Sequence, residues 1–421
     1  MKLTMENIEL KYGRSNFYFE FDADRFEVLK PAGELRPLSD LEISAKLDQP
    51  IGSPPVDEIV QLGEKVLIVV PDATREVACG QVINILVRRL IANGTSPADM
   101  SIIFATGIHR PVTEAEKAAI LTPFIAQRIK TIDHGPREIA RIARLGETRG
   151  GIPVELNRAL TENDHVILIG GISFHYFAGF TGGRKLICPG LASSKTIAAT
   201  HKLAFDRETA SRREGVGTGL LDGNAVHDAF IEAASKIASP FCISTLVNDD
   251  GEVVDLFCGD LIASHREACE QYAGRNTISI AEKRTVVVAS CGGSPSDINL
   301  IQAHKAIDAA ANACVEGGTL IILAECRDGL GRDDFLRWFE AGSSRELADR
   351  LCESYQVNGQ TAWSLLGKAE RFDLRIVTSL LERKVEAMKM KHYPSIAEAM
   401  KGIDPASSGY IIPFASKVMI H

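Results

Sequence analysis

Four stretches of the sequence place side chains able to move protons, hold anions or ligate a metal just after short β-like runs. The first is Pro71-Asp72-Ala73-Thr74-Arg75. Asp72 or Thr74 can cap a helix here while Arg75 sits in solvent. The chemical alternative is that Asp72 accepts from a ligand hydroxyl and Arg75 forks onto a carboxylate or phosphate. The second is Ala105-Thr106-Gly107-Ile108-His109-Arg110-Pro111. A lone histidine is often a surface or structural group, yet a neutral imidazole both takes and gives a proton near pH 7. His109 therefore suits acid–base work. The third spans 170–202 and carries His175, Gly182-Gly183, Arg184-Lys185 and His201. Adjacent glycines let backbone N–H groups approach an anion, although the GxxxxGK[ST] phosphate loop is absent. A flexible loop with solvated cations is the plain alternative. Against it, Phe174, Phe177 and Phe180 flank the loop and imply partial burial. A buried lysine without a partner is costly, so Lys185 has a chemical reason to be there. His201 follows a helix-like stretch and by itself reads more readily as structural than as a metal ligand. The fourth is SCGGSPSDINLIQAHK at 290–305, where Gln302 and Lys305 share one helical face and His304 points elsewhere. That pair is either part of an exposed amphipathic helix or a polar couple aimed into a crevice.

The elements that position these residues are legible in outline. Apolar runs at 65–71, 101–106 and 165–171 alternate with helix-like stretches at 81–93 and after Pro111, where Thr113-Glu-Ala-Glu is a capped start. This alternation predicts α/β architecture with mostly parallel sheets. Asn248-Asp-Asp-Gly251 marks a hairpin turn, and 261–273 reads as a helix. A second series of strands follows at 284–291, 318–325, 373–380 and 409–413. The expected organisation is two α/β domains, 1–275 and 280–404, with the tail, about 405–421, able to pack back on the first. Ligands in such folds sit at the carboxyl ends of strands, so an interdomain active-site crevice is expected. A dinucleotide fingerprint is missing: Gly215-Val-Gly-Thr-Gly219 has no preceding parallel strand.

Composition narrows the class. The chain has 421 residues, 45% hydrophobic and 24% charged, which is ordinary for a globular protein. With 47 basic and 55 acidic residues, its net charge of −8 argues against nucleic acid as a partner. No apolar run is long enough for a membrane span, and MKLTMENIELKYGR is no secretory signal. Nine cysteines without a CxxC pair predict neither a disulfide framework nor a cysteine zinc site. A soluble, reduced, cytoplasmic protein is expected.

Taken in order, PDATR at 71–75, ATGIHRP at 105–111, FHYFAGFTGGRK at 174–185, PG at 189–190, His201, GLLDGN at 219–224 and SPSDINLIQAHK at 294–305 resemble the nickel-pincer-nucleotide-dependent lactate racemase family. The resemblance covers about residues 10–415. It implies an isomerase that racemises or epimerises a 2-hydroxy acid by transient hydride transfer to a covalently bound nickel-pincer nucleotide. It implies Lys185 as the attachment point, His201 as the nickel ligand, and His109 and His175 as the acid–base pair. Arg75 and Lys305 would hold the substrate carboxylate, with Gln302 nearby and Trp363 beside the substrate. Asp72 and Thr74 match the loop that contacts the nucleotide, and Gly182 and Gly183 belong to the attachment segment. Cofactor-synthesis accessory proteins are implied as partners. One departure stands out: lactate-specific members tend to carry Tyr where this chain has Ile301. The expected substrate is therefore lactate or a larger 2-hydroxy acid. A non-catalytic carrier of the cofactor and a nicotinamide-dependent dehydrogenase are the competing readings. The additional His109, His175, Arg75 and Lys305 have no job in a carrier, and the missing fingerprint opposes a dehydrogenase.

Overall fold

A computed structural model of the chain describes residues 4–31, 33, 35–73 and 78–421. Two compact units are present. The loop unit comprises Gly33–Ala204 and Glu214–Tyr272; the terminal unit comprises Met1–Ala32, Phe205–Arg213 and Ala273–His421. This division differs from a single cut near 275–280, because both ends of the chain belong to the same unit. The physical reason is strand pairing, as the chain order shows.

β1 (Met5–Tyr12) and β2 (Ser15–Asp22) form an antiparallel hairpin, and β3 (Phe26–Val28) joins the sheet of the terminal unit at its edge. The loop unit then contributes β4 (Val66–Pro71), α1 (Cys79–Ala92), β5 (Met100–Ala105), α2 (Glu114–Ile120), β6 (Lys130–Asp133) and β7 (His165–Gly171). It continues with α3 (Ser194–His201), α4 (Ala225–Ala234), β8 (Phe241–Val247) and β9 (Val253–Asp260), followed by α5 (Ala263–Asn276). Its sheet has six strands in the order β9-β8-β7-β4-β5-β6, parallel throughout except for the β8–β9 hairpin. β4 is buried along its whole length, as its unbroken apolar run, rich in β-branched residues, requires of a central parallel strand. Ile68, Val70, Ile102, Phe104, Ile167 and Ile169 pack against Val82, Ile83, Leu86 and Leu90 of α1. The expected capping box opens α2, with Thr113 and Glu116 reciprocally bonded.

The terminal unit resumes with β10 (Arg284–Ser290), α6 (Leu300–Asn312), β11 (Cys314–Leu323), α7 (Val357–Arg371), β12 (Asp373–Val377), β13 (Lys391–Tyr393) and β14 (Gly409–Ile412). Its six strands run in the order β13-β12-β11-β10-β14-β3, all parallel. The tail thus supplies β14, which lies between β10 and β3 in the sheet of the terminal unit. Alternation along the strands sends Val287, Ala289, Leu320 and Ile322 toward one core. Val286, Val288, Ile321 and Leu323 face the other, where Leu10, Phe19 and Phe21 of the hairpin cover them. Among the described residues no helix is long and apolar enough to cross a membrane.

Candidate active site

Because β4, β5 and β7 are adjacent and parallel, their carboxyl ends lie on one edge of the sheet, and three of the four sequence stretches start there. Asp72 follows β4 directly and is buried. His109 lies beyond β5 on a turn in which Gly107 N–H donates to Gly190 O (2.8 Å) and His109 N–H to Thr106 O (3.0 Å). The two side chains meet: His109 Nδ1 is 2.6 Å from Asp72 Oδ2. An ionised carboxylate only accepts, so His109 holds its proton on Nδ1 and turns the Nε2 lone pair outward. Asp72 therefore has a partner other than the nucleotide expected for it. Thr74 and Arg75 lie outside the described residues.

The loop after β7 is a tight, buried construction. Phe174–His175 pairs antiparallel with Gly179–Phe180, and the Ala178 N–H donates to His175 Nδ1 at 3.3 Å. Thr181 Oγ1 donates to Gly171 O (2.7 Å) and accepts from Ser173 N–H (2.8 Å), tying the loop back to its strand. Gly182 and Gly183 then turn the chain with φ of 74° and 49° into a single helical turn, Arg184–Ile187. A Cβ on Gly183 would fall 2.6 Å from His265 Cδ2, so this position requires glycine for packing as well as for its backbone angle.

Three of the expected site residues converge on one ring. Phe177 lies 4.4 Å from the His175 ring and 5.1 Å from the His201 ring, and Lys185 Nζ is 5.8 Å from its centroid. Lys185 is half-buried, as the flanking aromatics imply. His201 is the last residue of α3, whose amino end is capped by Ser193. Burial above all, then the Lys185 charge, pushes the His201 imidazole down to about 3, so it is neutral at physiological pH. Its Nδ1 is buried with no hydrogen-bond partner.

Sequence reasoning picked out the segments that hold this arrangement, Arg184-Lys185 and GLLDGN, but gave Arg184 and Asn224 no role. Asn224, the end of GLLDGN, is fully buried; its Oδ1 accepts from Val226 and His227 N–H and so caps α4. Its Nδ2 donates to Phe177 O (2.9 Å) and Leu220 O (3.0 Å). An Asn before a helical stretch is a readable cap signal, but its reach to Phe177 is not local. Arg184 is also fully buried, with Nη2 donating to Ala178 O at 2.7 Å.

In the terminal unit, Lys305 Nζ donates to Gln302 Oε1 at 2.7 Å, so the two form one polar pair on α6. His304 turns the other way, buried, with Nε2 3.1 Å from Ser364 Oγ. One turn on, Asp308 pairs with Lys368 of α7 at 2.7 Å. Trp363 packs edge-on against Phe205, 5.4 Å between centroids, and Ile301 is half-buried on the same core. Asp297 of the SPSD segment accepts from Gly13 N–H (2.7 Å) and Glu325 N–H (3.1 Å), a structural clamp. Among the described residues no group of three or more His, Cys, Asp or Glu is arranged to hold a metal ion.

Residues 12–212 match the family model of the lactate racemase N-terminal domain, and residues 280–408 match that of the lactate racemase C-terminal domain. A lactate racemase of Thermoanaerobacterium thermosaccharolyticum is 32% identical over 340 residues, covering 80% of this chain and 78% of that protein. The chain belongs to the lactate racemase family. A lactate racemase of Lactiplantibacillus plantarum is 31% identical over 79% of this chain and 77% of its own length. The solved lactate racemase apoprotein from T. thermosaccharolyticum superposes with a TM-score of 0.87 at 28% identity, covering 99% of this chain and 100% of that one. A protein from Thermotoga maritima shares the fold, with a TM-score of 0.71 at 20% identity over 92% and 100% of the two chains. Membership in the lactate racemase family makes this chain an isomerase, as its motifs imply, and the expected α/β architecture with mostly parallel sheets holds.

Proposed function

We propose that this lactate racemase-family chain interconverts the enantiomers or epimers of a 2-hydroxy acid through the planar 2-keto acid. In this proposal a nickel-pincer nucleotide is attached to Lys185 and His201 is the protein's ligand to nickel. The observation that carries the reading is the convergence of His175, Lys185 and His201 on Phe177. His201 fits the ligand role: a neutral imidazole with an unsatisfied buried nitrogen is what a soft divalent metal takes. One imidazole leaves the remaining donors to the bound group. When bound, that group supplies reversible hydride acceptance, which no side chain can provide.

The chain's own residues manage protons and orientation. A carboxylate acidifies the adjacent C–H very little, so direct deprotonation of a 2-hydroxy acid is hard, and oxidation to the keto acid avoids it. His109 Nε2, with Asp72 behind Nδ1, is positioned to take the hydroxyl proton, and the imidazolium that results is stabilised by the Asp72 charge. The keto acid is planar and can turn, so the proton must be returned from a second direction; His175 is assigned that role. Arg75, Lys305, Gln302 and Trp363 are assigned to the substrate, and Thr74, Gly182 and Gly183 to the cofactor, by their match to the family motifs. Asp72 is assigned first to His109. The substrate is lactate or a larger 2-hydroxy acid.

Protein co-produced with cofactor-synthesis proteins should contain nickel, carry added mass on the peptide bearing Lys185, and racemise at least one acid in a 2-hydroxy acid panel. Lys185→Ala should lose the adduct and His201→Ala the nickel. An adduct on a different lysine would remove Lys185 from the mechanism. Full loading without turnover on any acid would favour the carrier reading.

A further inference from the structure

We infer that Arg184 is a positioning residue for His175 and acts on it through the backbone of Ala178, whose carbonyl and N–H belong to adjoining peptide groups. The inference rests on the proposed acid–base role of His175. Arg184 is fully buried beside Lys185, yet its hydrogen-bond partners among the described residues are carbonyls and an imidazole. Its Nη2 donates to Ala178 O at 2.7 Å, and Nη1 lies 2.9 Å from His265 Nε2 and 3.4 Å from Thr181 O. The same Ala178 residue donates its N–H to His175 Nδ1. A guanidinium that fixes the Ala178 carbonyl limits how the neighbouring backbone can rotate, and so holds the N–H on the imidazole.

The chemical consequence follows from what each group can do. A backbone N–H only donates, so His175 Nδ1 must be the acceptor, and the neutral ring keeps its proton on Nε2. His109 is set in the opposite way, with its proton on Nδ1 against Asp72 and its lone pair on Nε2. The two imidazoles are thus preset in opposite tautomers. Charging His175 would put a ring N–H against the Ala178 N–H. His265, which packs where a Gly183 Cβ would be, closes the far side of the Arg184 pocket. Lysine would not replace this arginine, because a point charge cannot engage the forked set of acceptors.

The test uses full-length apoprotein with 15N-labelled histidine and backbone, so it does not depend on cofactor loading or turnover. In the wild type, the neutral His175 ring should show an unprotonated Nδ1 and a protonated Nε2, and the Ala178 amide should exchange slowly. Arg184→Met and Arg184→Lys should give mixed His175 tautomers and speed Ala178 exchange by about tenfold or more, the loss of roughly one hydrogen bond. His109 should keep its tautomer in both variants. In loaded enzyme the same changes should lower kcat and leave KM within about twofold, since the ring is misaligned while carboxylate contacts remain. A wild-type His175 protonated on Nδ1 overturns the inference outright. So does a folded variant with unchanged His175 resonances and Ala178 protection, even if its melting temperature falls. Absence of racemisation in the loaded wild type would instead count against the proposed function and leave the ring assignments standing.

Discussion

At the scale of single residues, the Asp72–His109 pair is the most informative geometry. A 2.6 Å contact to a buried carboxylate orients the imidazole and selects its tautomer at once. Asp72→Asn keeps the shape but presents an amide that no longer demands a proton on Nδ1. Turnover of the loaded enzyme is expected to fall about 10²–10⁴-fold, the range for a misplaced acid–base group, with nickel content and circular dichroism unchanged. Near wild-type rates would return Asp72 to the nucleotide contact that the motif implies. Ile301 bears on specificity. Being shorter and wholly apolar where a Tyr would offer bulk and a hydroxyl, it should admit substrates larger than lactate. A racemisation panel of lactate, 2-hydroxybutyrate and longer acids measures this. Each extra methylene accommodated is worth about 1–3 kcal/mol of discrimination, or tens-fold in kcat/KM. A preference for lactate over every larger acid would end the idea.

At the scale of elements, Asn224 joins a helix start to the centre of the site. It caps α4 with Oδ1 and grips Phe177 O with Nδ2, so one side chain satisfies groups on two segments distant in sequence. Asn224→Ala should destabilise the protein by about 1–3 kcal/mol, the sum expected for a lost cap and an unsatisfied buried carbonyl. It should also loosen Phe177, read as weaker nickel retention on dialysis of loaded protein. In the terminal unit, Asp308 and Lys368 tie α6 to α7 in a buried site; burial lowers the Lys368 ammonium while the Lys368 charge holds the Asp308 carboxyl down. Asp308→Ala strands the lysine and should cost about 3–5 kcal/mol in chemical denaturation, and adding Lys368→Met should recover most of it. Additive losses in the double variant would show that the pair does not act as a unit.

For the molecule as a whole, buried neutral histidines set the response to acid. His134 is held at about 4, and His227 and His304 at about 3, burial being the largest cause for each. Below pH 6.5 the unfolded chain binds protons that the folded chain refuses, so stability rises with pH. The contribution of these groups is complete above about 6.5 and is lost as pH falls toward the folded values. Each such group costs at most about 1.4 kcal/mol per pH unit across that window. The melting temperature should therefore drop steadily between pH 6.5 and 4.5 in apoprotein, before most carboxylates titrate. A flat profile there would mean that these imidazoles accept protons without structural cost.

Much of this was legible from local pattern. A β-branched run cannot be solvated on either face, so β4, β5, β7, β10, β11 and β12 could be read as buried parallel strands. A capping box satisfies its own helix end, so α2 could be read from Thr113 and Glu116. Residue types at strand ends, in their order along the chain, sufficed to single out His109, His175, Lys185 and His201 and to suggest the family. What required the tertiary structure was everything joined across long sequence separations. Strand order placed β14 between β10 and β3 and put both chain ends in one unit, because unpaired edge groups must find partners wherever the fold offers them. The partner of His109 proved to be Asp72, and the rings around Phe177, the grip of Asn224 and the buried Arg184–Ala178–His175 relay arise from packing. A sequence lists donors and acceptors; which of them meet depends on where the backbone brings them, and burial then makes each meeting obligatory.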